Sequence, residues 1–287
     1  MYVDQPERII ILSFDIEEWF HCDLISDKKT WAGYEVRIHA SVDRILQHLS
    51  NNKLRGTFFV LGWIAEKYPE VVKKIAVQGH EIAAHSYYHD LVHRMNRQEF
   101  YDDTASVLKR LEDITGTKIS IYRAPAFSIT ECTPWAFEVL AELGIQYDCS
   151  IFPSAHDYGG FPSFGAAEPA IVNVQGCYIK EFPMNTISVF DREIVFSGGG
   201  YFRLFPYYFI KKWTKLSPYV MSYMHPRDFD GEQPRLPHLP LMRKFKSYYG
   251  LATSFAKYQR WTSDFKTMSL LEADKLIDWS KTNIISV

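Results

Sequence analysis

The sequence predicts an α/β protein whose parallel strands close into a barrel, and three observations lead there. Strand-like apolar runs alternate with segments of helical periodicity along the first 150 residues. The first of these runs is a nearly continuous β-branched stretch, as a strand covered on both faces requires. At least five runs, early and late, end in residues capable of catalysis. Right-handed crossovers restrict such an alternation to a doubly wound sheet or a barrel. An open sheet gathers only its switch point, whereas a barrel brings every strand C-terminus to one mouth, so the barrel accounts better for the pattern.

The first strand is Arg8-Ile-Ile-Ile-Leu-Ser-Phe14, followed at once by Asp15, Glu17 and Glu18. Val42, Ile45, Leu46 and Leu49 then recur at helical spacing, and residues 56–61 supply a second strand. Residues 64–77 are predicted helical and close at Gly79; Glu81-Ile-Ala-Ala84 is a third strand that delivers His85 and His89 beyond its end. A helix over 97–114 stops at Gly116, and Ile119-Ser-Ile-Tyr122 is a fourth strand ending at Arg123-Ala-Pro125. Thr133 as N-cap, Pro134 at the first helical position and Gly144 after Leu143 bound the next helix, and residues 145–147 begin a fifth strand ending at Asp148. Further strands are expected over 178–182 and 219–224, flanking the Gly198-Gly199-Gly200 loop and a helix over 205–216; the second leads to His225-Pro226. The barrel is assigned to residues 1–228. Residues 229–287 form a C-terminal extension packed on it: a proline-rich lead, a basic and aromatic stretch over 244–260 read as a solvated helical face, and a final helix over 270–279.

Composition excludes several classes of function. The chain has 287 residues, 47% hydrophobic and 16% aromatic, with 15 glycines and 14 prolines, which rules out collagen-like and disordered chains. The formal charge of −2 provides no field to collect nucleic acid. Cysteines at 22, 132, 149 and 177 form no CxxC pair and read as reduced thiols. The apolar run over 9–14 is too short for a signal core or a membrane span, so a cytoplasmic protein is expected.

His85-Ser-Tyr-Tyr-His89 places two imidazoles four residues apart, and a carboxylate beside them completes the three-ligand pattern of a catalytic zinc site with one position open to water. Asp15 and Glu17 would reach the same mouth. Ser13-Phe14-Asp15, His85 to His89, Arg123-Ala124-Pro125 and Tyr223-Met224-His225 resemble, in order and spacing, the motifs of the polysaccharide deacetylases, the family-four carbohydrate esterases. Asp15-Ile-Glu-Glu-Trp19, Ser197 to Arg203, Met224-His-Pro226 and Gln233-Pro-Arg235 resemble more closely the subgroup linked to exosortase-type exopolysaccharide clusters, over nearly the whole chain.

The resemblance implies a distorted (β/α)7 barrel and metal-assisted removal of N-acetyl groups from the amino sugars of a polysaccharide or its lipid-linked precursor. It implies Asp15 as general base, His85 and His89 as metal ligands, Arg123 as the partner of the base, His225 as general acid, and Asp148 as the group that orients His225. It also implies a divalent ion, zinc first with cobalt or nickel as alternatives, and the Ala126 N–H as an oxyanion donor. The family's second aspartate is replaced by Ile16, so the third ligand falls to Glu17 or Glu18; alternation along an extended segment favours Glu17, in phase with Asp15. Trp19, Tyr88, Phe127 and Tyr201 either stack on sugar or pack the loops. The Gly198–Gly200 loop is read as a substrate lid or a close backbone approach. Two other readings stay open, both suggested by Ile16: a metal-independent hydrolase of small cyclic amides, and a decayed glycan-binding protein.

Overall fold

The structure, a computed structural model, describes residues 8–21, 27–156, 158–189, 192–237 and 239–287; Cys22 and His238 lie outside them. Its strands are β1 (Ile9–Ile11), β2 (Ser13–Ile16), β3 (Thr57–Val60), β4 (Glu81–Ala84), β5 (Ile121–Tyr122), β6 (Tyr147–Asp148), β7 (Ala170–Val174), β8 (Cys177–Glu181), β9 (Ile187–Val189), β10 (Arg192–Ile194), β11 (Tyr219–Met221) and β12 (Ile284–Ser286). The helices are α1 (Ile38–Asn51), α2 (Gly62–Lys67), α3 (Pro69–Val77), α4 (Arg97–Thr115), α5 (Trp135–Glu142), α6 (Gly199–Leu204), α7 (Tyr207–Leu216), α8 (Leu241–Tyr248), α9 (Leu251–Asp264) and α10 (Leu270–Asp274).

β1 and β2 are one strand interrupted at Leu12. β1 pairs in parallel with β11, and β2 leads through β3, β4, β5 and β6 to β8, again in parallel. Seven parallel strand positions result, the distorted (β/α)7 barrel that the resemblance implied. The distortion is a gap between β8 and β11, where no backbone ladder forms among the described residues. Side chains and a loop bridge it: Met221 N donates to Asn185 Oδ1 at 2.8 Å, Ser197 Oγ to the Met221 carbonyl at 2.7 Å, and Gly198 pairs with Tyr223.

Two expected helices are revised. The helix over 64–77 is two, α2 and α3, because Pro69 cannot continue a helix and forces Tyr68 out of the helical region (φ −134°, ψ 59°). The final helix stops at Asp274. The segment after 228 is more than a covering layer. β12 pairs with β7, and Met268 exchanges backbone hydrogen bonds with Ile10 and Leu12. Leu270 N donates to Thr57 Oγ1 at 3.0 Å and Leu271 N to Glu81 Oε1 at 3.1 Å, both at strand starts. Residues 268–273 therefore plug the N-terminal end of the barrel and leave the C-terminal mouth for chemistry. Cys132, Cys149 and Cys177 are free thiols. Among the described residues no helix is long and apolar enough to cross a membrane.

Candidate active site

Period-two side-chain direction decides what each strand presents inside the barrel. Ile11, Phe59, Ala83, Ile121, Cys149 and Met221 form an inner apolar cluster. Two residues further along their strands, in the same phase, come Ser13 and then Asp15, His85, and Arg123. A polar layer therefore caps an apolar one at the mouth.

Glu17, His85 and His89 turn donor atoms toward one point, all within 4.8 Å of one another. His85 Nδ1 lies 2.8 Å from the Arg123 carbonyl oxygen. A carbonyl only accepts, so Nδ1 carries the proton and Nε2 keeps its lone pair for a ligand. Burial pushes His85 down to about 4, so the neutral ring that a ligand needs is present at neutral pH. Ser86 (φ 60°) and His89 (φ 61°) adopt left-handed backbone, which brings the chain sharply round after β4 so that both rings converge. Gly62 accommodates this loop: a Cβ there would sit 2.4 Å from the Tyr87 ring, and its N–H donates to the Ser86 carbonyl.

The choice between Glu17 and Glu18 is geometric. Ile16 packs in the apolar core, and Glu18 Oε1 accepts from the Arg37 and Ile38 N–H groups at 2.7 and 2.8 Å, closing the N-terminus of α1. Glu17 Oε2 is buried without a hydrogen bond of normal geometry and lies 3.1 Å from His89 Nε2. Burial raises the Glu17 carboxyl, but the charges of His89 and His225 outweigh it and hold the group well below the usual carboxylate range. Two imidazoles and an ionised carboxylate make a donor set that fits a divalent transition ion.

Beside this set, the buried Arg123 guanidinium donates to Asp15 Oδ1 at 2.6 Å and to Ser13 Oγ at 2.9 Å while lying 3.9 Å over the Phe59 ring. Asp15 Oδ2 faces His225 Nε2 at 3.8 Å. The other ring nitrogen, His225 Nδ1, is 2.9 Å from Asp228 Oδ2, which also accepts the His225 backbone N–H. Asp228 Oδ1 pairs with Arg203 Nε at 3.0 Å, and Arg203 in turn donates to the carbonyls of Lys246, Ser247 and Tyr249. Burial alone would lower His225, but the Asp228 carboxylate outweighs it and lifts the ring to about 9. Burial likewise raises Asp228, and His225 and Arg203 reverse this to about 2.

Asp148 does not orient His225. It is out of phase with the inner residue Cys149, so its side chain takes the opposite face of β6, where Ser150 Oγ donates to it at 2.7 Å. Its register partner is Glu181, and burial together with the neighbouring Asp148 carboxylate pushes the Glu181 carboxyl up. Asp228 and Arg203 take the place expected of Asp148. Asp228 had a local signal: an acid at the third residue after a cap, in His225-Pro-Arg-Asp228, is the pattern of a capping box.

The expected sugar contacts divide. Trp19 is buried and its Nε1 donates to the Glu35 carbonyl at 2.9 Å, while Phe127 is buried edge-on against Tyr223; both are packing residues. Tyr88 and Tyr201 are exposed. Ala126 is half-buried in a left-handed turn (φ 50°) directly after the Arg123 strand. Gly198 meets the backbone of Tyr223, so the glycine loop serves a close approach: a Cβ would fall 2.1 Å from the Tyr223 carbonyl oxygen.

Known proteins share this architecture. A candidate polysaccharide deacetylase from Mycobacterium smegmatis superposes with a TM-score of 0.58 at 19% identity, covering 94% of this chain and 96% of that one. The peptidoglycan deacetylase PdaC from Bacillus subtilis gives 0.51 at 15% identity over 96% and 93%. In sequence, a peptidoglycan-N-acetylglucosamine deacetylase of Bacillus cereus is 34% identical over 96 residues, which is 33% of this chain and 35% of that protein. The peptidoglycan-N-acetylmuramic acid deacetylase PdaA of Bacillus subtilis is 29% identical over 93 residues, 32% of this chain and 34% of its own length. The match thus spans about a third of each curated relative. Residues 149–274 match a domain of unknown function (DUF3473). Residues 3–147, just over half of the chain, match the polysaccharide deacetylase model, and they hold Asp15, Glu17, His85, His89 and Arg123: the chain belongs to the polysaccharide deacetylase family.

Proposed function

We propose that this protein is a divalent-metal-dependent hydrolase that removes N-acetyl groups from the amino sugars of a polysaccharide or its lipid-linked precursor. The motifs around Ser197 to Arg203 and Met224 to Pro226 favour exopolysaccharide synthesis as the setting. One observation carries the chemistry. The Glu17, His85 and His89 donor set adjoins a carboxylate, Asp15, that has one oxygen held by Arg123 and the other turned toward His225 Nε2.

A divalent ion bound by Glu17, His85 and His89, zinc or else cobalt or nickel, would supply Lewis acidity toward the acetyl carbonyl and acidify water. Asp15 Oδ2 then accepts a proton from the attacking water, with Arg123 fixing the carboxylate so that this oxygen points into the mouth. The Ala126 N–H, at the start of the left-handed turn, donates to the developing oxyanion; one such donor contributes about 3 kcal/mol. Asp228 holds the Nδ1 proton of His225, so Nε2 carries the proton that passes to the departing amine. The C–N bond breaks, leaving acetate and a free amino sugar. Tyr88 and Tyr201 offer exposed faces for neighbouring sugar rings.

The convergence of Glu17 with both histidines weighs against the cyclic-amide reading, because a metal-independent site has no use for that donor set. The test is metal analysis of the purified protein together with acetate release from an N-acetylated oligosaccharide. Bound metal, and release that a chelator abolishes and the ion restores, is the expected result. Acetate release unchanged after complete metal removal, or none from any N-acetylated glycan with metal present, overturns the proposal.

A further inference from the structure

From Gln233 to Ser263 the chain carries Arg235, Arg243, Lys244, Lys246, Lys257 and Arg260 and not one aspartate or glutamate, although the whole protein has a net charge of −2. Within this segment lies α8, Leu-Met-Arg-Lys-Phe-Lys-Ser-Tyr, which has no buried residue. Helical spacing aligns Leu241, Phe245 and the following Tyr249 in one row, with Met242 beside it. A helix on the outside of a protein normally turns such a row inward. Here the row faces water: Leu241 is 86% exposed, Met242 66%, Phe245 44% and Tyr249 49%. The body side of α8 is instead taken by the half-buried Lys244, Ser247 and Tyr248.

The helix is nonetheless firmly placed. Arg203 binds three carbonyls at its C-terminal end, and the adjoining groove, about 580 Å³, presents Arg235 and Lys244 beside Leu236 and Tyr248. An outward apolar row with Lys244 on one flank and Lys246 on the other, in a stretch of sequence without an acid, is the chemistry of a helix lying in the headgroup boundary of an anionic bilayer. A second copy of this chain is a poorer occupant. A two-fold contact through α8 would set Lys244 and Lys246 of each copy near those of the other, and α8 itself carries no acid to neutralise them.

We propose that α8 and the groove beside it dock this protein on an anionic phospholipid surface. Since Arg203 links α8 to Asp228 and His225, docking sets the mouth of the barrel close to the lipid plane, which favours a lipid-linked glycan over a free one. That consequence rests on the deacetylase reading; the docking does not.

The test is co-sedimentation of the full chain with vesicles of phosphatidylcholine, alone or with roughly 30% phosphatidylglycerol, at low and high salt. Partition to the anionic vesicles, weak on neutral ones and reduced by salt, is expected. Leu241→Ser with Met242→Ser should lower the partition coefficient about tenfold, and Lys244→Glu with Lys246→Glu by more, both with unchanged circular dichroism. Acetate release from a soluble oligosaccharide should stay as in the parent for the Leu241 and Met242 pair. No partition to anionic vesicles, or equal partition of parent and both variants, overturns the docking, as does binding to soluble dextran sulfate without binding to vesicles. Vesicle binding by a protein that releases no acetate from any substrate would leave the docking standing and remove the deacetylase reading.

Discussion

Replacing Asp228 by Asn removes the charge that His225 faces while keeping an oxygen within reach of Nδ1. The structure sets the size of the effect. His225 sits at about 9 against an ordinary 6.5, and Asp228, through its hydrogen bond and its charge, is the largest influence raising it. Glu17 adds less, and an ion held by Glu17 would cancel that part while leaving the Asp228 contribution. The sign follows from the role: imidazolium is the proton donor, so the rate falls as pH rises through the folded value, and lowering that value moves the fall to lower pH. At pH 8 a ring titrating near 9 is about 90% protonated, and one returned to 6.5 about 3%, a difference of about thirtyfold. At pH 6 the two differ by less than about twofold. The assay is the pH profile of kcat/KM for acetate release. The variant's basic limb should move down by about two pH units, while Asp148→Asn leaves the limb where it is. A uniform loss at all pH values in Asp228→Asn, or a limb that moves with Asp148→Asn instead, would refute the assignment.

Other changes separate the remaining roles. His85→Ala and Glu17→Gln should each weaken metal binding by about a hundredfold in a competition titration, whereas Asp15→Asn should bind metal as the parent does and lose about a thousandfold in kcat; equal metal loss in all three would contradict the division of ligand and base. Glu18→Ala strips two N–H groups at the start of α1 of their acceptor and should cost about 1–2 kcal/mol, a fall of roughly 3 °C in Tm by calorimetry, with metal affinity unchanged. Gly198→Ala pushes against the Tyr223 backbone, two residues before His225, and should lower both the denaturation midpoint and kcat; a variant as stable as the parent would show that the loop gives way freely.

The gathering of Asp15, His85 and Arg123 at the mouth is legible in the sequence because parallel strands impose a simple rule. A residue in phase with an inner apolar residue, at or just past the strand's C-terminal end, must face the mouth. That rule places Asp15, His85 and Arg123, and it prefers Glu17 to Glu18. Applied to β6 it excludes Asp148, since Cys149 rather than Asp148 has the inward phase; only the order of the family's motifs points to Asp148. Other features leave no local trace. The closure between β8 and β11 depends on Asn185 meeting Met221 across 36 residues, and β12 is three residues long, too short for any periodicity to announce its pairing with β7.

Asp228 shows how one residue can carry two signals. As the acid of a capping box it satisfies the start of a short helical turn, a role that needs nothing beyond its neighbours. The same carboxylate fixes the ring of His225, and its second oxygen recruits Arg203 from the last turn of α6, which the segment after α8 holds in place. The imidazole proposed as the acid can therefore be positioned from within its own turn, provided that a cation from elsewhere neutralises the carboxylate's remaining charge. That requirement ties α8 to the chemistry: without the three carbonyls that grip Arg203, its guanidinium would lose its anchorage, and with it the buried pair that keeps His225 protonated.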